Sequence, residues 1–109
     1  MAEMTFDEYQ ALARRTQNPG LTPDYQMEHA TWGLAAETGE ILSLHQKMRQ
    51  GHSLEVWRVA EEVGDLFWFA GELLDYYGLS MGDVAKANIE KLKARYPEGF
   101  SEERSRNRE

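Results

Sequence analysis

Four carboxylates in this chain carry the spacing of a cation site. Glu37 and Glu40 stand three residues apart, as do Glu62 and Asp65, and Gly51 lies midway: Glu37 and Asp65 are each 14 residues from it, Glu40 and Glu62 each 11. If each pair sits on one helix and the chain reverses at Gly51, equal rise per residue sets the pairs face to face in two layers one turn apart. With ordinary helix separation the four acids fall within a patch of roughly 5–8 Å. Anions so close in a dry setting raise one another's pKa and repel by several kcal/mol, so protons or cations must neutralise them. Hard oxygen donors favour Mg2+, with Mn2+ as a substitute, over Zn2+. The chain has no Cys, and its three histidines, His29, His45 and His52, follow Gln26, Leu42 and Arg49 at three residues' distance. The Glu-x-x-His of a di-iron bundle is therefore absent. Any one of these acids alone reads as a solvated helix residue. The mirrored set, with one member inside an apolar seam, reads as a site.

That seam is Ala30, Leu34, Glu37, Ile41, Leu44 and Met48, stepping by four and three along one helical face. Breakers and caps place the helices. Thr5 and Glu8 have capping-box spacing, which predicts a first helix from Thr5 to about Thr16, stopped by Asn18-Pro19-Gly20. Thr22-Pro23 opens a long second helix to Gln50, ended by Gly51. Ser53 is the expected cap of a third helix, Leu54 to Tyr77, ended by Gly78; Ser80 opens a fourth, to about Tyr96, before Pro97. No segment alternates with period two. The fold class expected is all-α, four-helix bundle-type, with the two central helices in an antiparallel hairpin, and 1–109 as a single domain. Residues 101–109 read as a mobile tail.

The third helix carries a stripe of Val56, Val59, Val63, Leu66, Phe67, Ala70 and Leu74, while Phe69 and Tyr76 lie on the other side, with Glu62 and Asp65. A helix apolar on two sides in so short a chain needs a second subunit to cover it. Trp32, Trp57, Trp68, Phe69, Tyr76 and Tyr77 read as core or interface residues before base-stacking ones, and His29 as a core-edge residue before a base contact. Gly33, Gly39 and Gly64 weaken their helices, which close helix approach or room for a ligand would justify.

Composition excludes several classes. The 109 residues have 12 Lys plus Arg against 19 Asp plus Glu, a net charge of −7, which disfavours a nucleic-acid partner. Hydrophobic residues at 41% and aromatics at 11% exclude a disordered acidic tail. The absence of Cys excludes a disulfide framework and suits a reducing, cytoplasmic setting. Neither a membrane span nor a signal peptide is expected. An anionic substrate carried with its cations fits this balance.

The segments Leu34-Ala35-Ala36-Glu37-Thr38-Gly39-Glu40-Ile41 and Glu61-Glu62-Val63-Gly64-Asp65-Leu66-Phe67-Trp68 resemble the MazG-like nucleoside triphosphate pyrophosphohydrolases of the all-α NTP pyrophosphatase superfamily, whose pattern is E-E-x-x-E followed by E-x-x-D. Asn88-Ile89-Glu90-Lys91-Leu92 and Arg95-Tyr96-Pro97-Glu98-Gly99-Phe100-Ser101 resemble the terminal segment of small stand-alone members. The likeness runs over about residues 28 to 101; Ala36 stands where the first Glu of the pattern would be. The resemblance implies Mg2+ on Glu37, Glu40, Glu62 and Asp65, with Glu37 favoured as the carboxylate acting on water. It implies hydrolysis of a (deoxy)nucleoside triphosphate to monophosphate and pyrophosphate, in nucleotide-pool cleaning or balancing. It also implies a homodimer or homotetramer, and puts Asn88 and Lys91 near the substrate. Arg95 shares their helix face, and Lys47, on the acid-bearing helix, is a weaker phosphate-contact candidate. The alternatives are a relative restricted to dUTP or dCTP, and a non-catalytic metal-binding helical module.

Overall fold

The computed structural model describes residues 3–107; Met1, Ala2 and the last two residues of the expected tail, Arg108 and Glu109, lie outside the described residues. Five helices follow one another: α1 (Phe6–Arg14), α2 (Pro23–Arg49), α3 (Val56–Tyr76), α4 (Met81–Arg95) and α5 (Glu102–Arg106). Among the described residues there is no β-strand. The all-α reading and the central hairpin hold.

Local chemistry explains most boundaries. Thr5 and Glu8 exchange capping-box hydrogen bonds of 3.0 and 2.8 Å. Thr22 caps α2 with Pro23 in its first turn, and the Ser80 hydroxyl caps α4 by accepting from the Asp83 amide. Gly51 and Gly78 take positive φ, 100° and 69°, where the chain leaves α2 and α3. Two boundaries differ from expectation: α1 ends at Arg14, two residues before Thr16, and the start of α3 shifts. α3 starts two residues later than Leu54, and its cap position is Glu55 with no capping bond, not Ser53. The Glu55 carboxylate instead accepts from the Trp57 indole N–H. In the expected tail, Ser101 accepts from the Arg104 amide and caps α5, with Glu102 and Glu103 in its first turn.

α2 and α3 pack along their length, and α1 and α4 are tied to the far end of that hairpin through polar hubs. Asp75 accepts from Gln10 Nε2 at 2.9 Å, Arg14 at 2.7 Å and Gln17 Nε2 at 2.7 Å. Buried Gln10 also donates to the Leu79 carbonyl and accepts from the Met81 amide. Asp7 accepts from the Ser80 hydroxyl at 2.6 Å and the Gly82 amide at 3.0 Å. α4 thus rests on α1 rather than along the hairpin.

The core is thin. Among the described residues Ala30 and Met81 are the fully buried apolar residues, while Val56 is 73% exposed, Trp32 60%, Trp57 54% and Phe67 45%. The Cα radius of gyration, 17.1 Å, exceeds the ~13 Å of a compact chain of this length. Among the described residues, no helix is long and apolar enough to cross a membrane.

Candidate metal centre

The hairpin brings Glu37 from α2 against Glu62 and Asp65 from α3: one carboxylate oxygen from each lies within 4.8 Å of the others. This clustering follows from the heptad-like seam, since the position Glu37 takes on α2 is one that faces the partner helix. Glu40, about 60° round the helix from Glu37, is not a member of that trio. It lines a neighbouring cleft with Glu62 and still adds its charge to Glu37.

Electrostatics mark Glu37 as the focus. Its Oε2 is buried with no hydrogen-bond donor against it. Its pKa is pushed up to about 7, first by sharing a proton with Glu62, then by burial, then by the charges of Glu62, Asp65 and Glu40. A raised carboxyl pKa is the response expected of clustered acids. The orphaned oxygen, the three converging carboxylates and the hard donor set fit a Mg2+-type ion.

The walls of the centre come from α2 and α3. Trp68 and Phe69 line a cavity of about 340 Å3 with Glu37 and Asp65. The Trp68 ring is held by its N–H, which donates to Thr16 at 2.8 Å, and by an edge-on contact with Phe69. Burial, and after it the nearby charge of Asp65, pushes the hydroxyl pKa of Tyr9 of α1 up. Beyond Phe69, His29 Nδ1 meets Glu72 Oε1 at 2.6 Å, and Glu72 is 1% exposed.

The expected phosphate contacts separate into two places. Lys47 lines the cleft beside Glu40 and Glu62. Lys91 and Arg95 line a different cavity, of about 620 Å3, completed by Ser101 and Arg104 of the terminal segment. Asn88 is exposed on α4 and lines neither. Within one chain the acids and the α4 cations therefore do not share a cavity. Four residues of these surroundings escaped the sequence reading: Tyr9, Arg58, Glu72 and Arg104. Glu72 alone left a signal, since it sits 21 residues past Gly51 and His29 22 before it.

Comparison with known proteins gives one match. Residues 26–100 match the family model described as the MazG nucleotide pyrophosphohydrolase domain. No curated protein and no solved structure matched. The matched segment takes in all four acids, α2 but for its first three residues, α3 and α4, about two thirds of the sequence. On that match the chain belongs to the MazG nucleotide pyrophosphohydrolase domain family.

Proposed function

We propose that this chain hydrolyses (deoxy)nucleoside triphosphates to nucleoside monophosphate and pyrophosphate, with Mg2+ held by Glu37, Glu62 and Asp65 and by Glu40 beside them. The observation that carries the reading is the trio of carboxylate oxygens within 4.8 Å, one of its members bearing a buried oxygen without a donor. A bound divalent ion would neutralise the phosphate oxygens, so that a polyanion can approach the acids, and would make water more acidic.

The chain's own residues supply the rest. Glu37, as carboxylate, takes the proton of the attacking water. The water oxygen bonds to phosphorus, the anhydride bond between the α- and β-phosphates breaks, and the electron pair leaves with the departing phosphate. Glu62 and Asp65 hold Glu37 in place and share its charge. Trp68 and Phe69 shield the centre from bulk water.

Two further assignments rest on this reading. The exposed apolar residues of α2 and α3 are covered by a second copy, in a dimer or a dimer of dimers. In that assembly Asn88, Lys91 and Arg95 of one copy meet the phosphates bound at the acids of another, because within one chain they lie elsewhere.

The test is pyrophosphate release from a panel of ribo- and deoxynucleoside triphosphates, with and without Mg2+, for the unaltered chain and for Glu37→Gln and Asp65→Asn. Release should need Mg2+ and vanish in both variants while helicity persists. Turnover surviving either change overturns the site. Silence of the unaltered chain across the panel, with Mg2+ still bound, favours a non-catalytic metal-binding module; turnover of one pyrimidine triphosphate alone favours a restricted relative.

A further inference from the structure

The acid centre opens in two directions along the hairpin, and the two openings differ in chemistry. Away from the Gly51 turn, Glu37 and Asp65 adjoin the aromatic walls of Trp68 and Phe69. Toward the turn, Glu40 and Glu62 adjoin a cleft of about 250 Å3 that also receives Lys47 from α2 and Trp57, Arg58 and Glu61 from α3. We infer that the cleft toward the turn seats the terminal phosphates of the substrate, and pyrophosphate after cleavage, with Lys47 and Arg58 as their counter-charges. The nucleoside end then points toward Trp68 and Phe69. This rests on the pyrophosphohydrolase reading and assigns a direction to the substrate.

Three observations converge on it. First, the two cations come from opposite helices into one cleft, and among the described residues neither forms an ion pair with the acids around it; the ion pairs there are Arg14–Asp75, His29–Glu72 and Arg106–Glu102. Second, the Arg58 guanidinium lies 5.1 Å from the centre of the Trp57 ring, a stacking that orients its fork before any anion arrives. Third, this cleft shares Glu62 with the metal centre. An anion lying between the two would therefore meet the metal on one side and the cations on the other. The larger cavity of Lys91, Arg95 and Arg104, which Glu103 also lines, has no wall in common with the acid centre of its own chain. Two cations among the three carboxylates of this cleft, Glu40, Glu61 and Glu62, suit a polyphosphate carried with its metal, since the metal offsets the acids and the cations meet the phosphate oxygens.

The test compares the full chain with its Arg58→Gln and Arg58→Lys variants. In Arg58→Gln, KM for the Mg2+-triphosphate and the inhibition constant for pyrophosphate should rise together by about tenfold or more, with kcat little changed. Inhibition by the nucleoside monophosphate, which lacks the terminal phosphates, should not move, and Arg58→Lys should recover part of the loss. Equal weakening of monophosphate and pyrophosphate, or no change in pyrophosphate inhibition, overturns the assignment. Calorimetric binding of Mg2+-pyrophosphate separates this inference from the hydrolase reading. If the unaltered chain turns over no triphosphate but binds pyrophosphate, and Arg58→Gln binds it tenfold more weakly, the cleft stands and the hydrolase reading falls. If the unaltered chain binds no pyrophosphate, or the variant binds it equally well, the cleft falls.

Discussion

Phe69 lays its ring on the bare α-carbon of Gly33, so closely that a Cβ there would overlap the ring carbons. Gly33 is four residues before Glu37 and Phe69 four after Asp65, so this contact sets the helix separation one turn away from the acids. Gly33→Ala should gain up to ~1 kcal/mol of helix propensity yet lose about 1–3 kcal/mol to overpacking. Because the displaced helices carry the ligands, Mg2+ affinity should fall as well. Urea unfolding and Mg2+ titration of the same samples check this. Gly39→Ala serves as the control, since a Cβ there meets nothing within 4 Å.

Glu37 gives the metal-free protein an unusual pH dependence. Its pKa rises from an ordinary 4.5 to about 7 on folding, so the folded chain binds that proton more tightly than the unfolded chain. The resulting stability is complete below about pH 4.5 and is lost as pH climbs through about 7. Asp7 and Glu8 are held below their ordinary values of 3.8 and 4.5 by hydrogen bonds, Asp7 to Ser80 and Gly82, Glu8 to Thr5. They act in the opposite sense, at pH values below those, and leave the upper part of the window to Glu37. Mg2+ requires the deprotonated carboxyl, so its binding should tighten as pH rises through 7 and release a proton. Melting curves at pH 5 and pH 8, with and without Mg2+, should show the metal-free chain melting lower at pH 8 and Mg2+ removing the difference. Glu37→Gln should abolish both the slope and the Mg2+ response.

The pair His29–Glu72 places a carboxylate, 1% exposed, against a half-buried imidazole, with its second oxygen unpartnered. His29→Ala leaves that carboxylate without its one polar contact and should cost about 3 kcal/mol. Glu72→Gln in the His29→Ala background, which removes the charge, should recover part of the loss. Chemical denaturation of the two variants decides it. If His29→Ala is neutral, the pair carries none of the packing assigned to it.

Much of this geometry was legible in the sequence because a helical hairpin obeys arithmetic. Counting from Gly51 pairs Glu37 with Asp65 and, carried two turns further, Gly33 with Phe69 and His29 with Glu72. The caps Thr5, Thr22 and Ser80 were legible for the same reason: a side-chain oxygen three residues before an orphan amide is a local fact. Ser53 is not the cap because α3 begins at Val56, which puts Glu55 at the cap position, and the Glu55 carboxylate accepts from the Trp57 indole rather than from a helix amide. The lean of α4 on α1 was not legible. It depends on Gln10, Asp7 and Asp75, single polar residues whose partners lie at least 58 residues away, and no periodicity encodes such contacts. Arg58 and Arg104 were missed because a cation acquires a role only from what the fold sets beside it.

Asp75 is the strongest of those distant hubs, and its removal should unfasten one part of the molecule selectively. Arg14 contributes an ion pair at 2.7 Å but is 54% exposed, so Arg14→Ala should cost no more than ~1 kcal/mol. Asp75→Ala also strands the Gln17 amide and leaves Gln10 Nε2 with only its bond to the Leu79 carbonyl, and should cost about 2–4 kcal/mol. Gln10 in turn accepts from the first amide of α4, so loosening it loosens α4 as well. Amide hydrogen exchange should therefore quicken in α1 and α4 of Asp75→Ala while the α2–α3 hairpin keeps its protection. A uniform loss of protection would show instead that the hairpin depends on α1. The acid centre would then rely on Asp75 despite lying more than two turns away along α3.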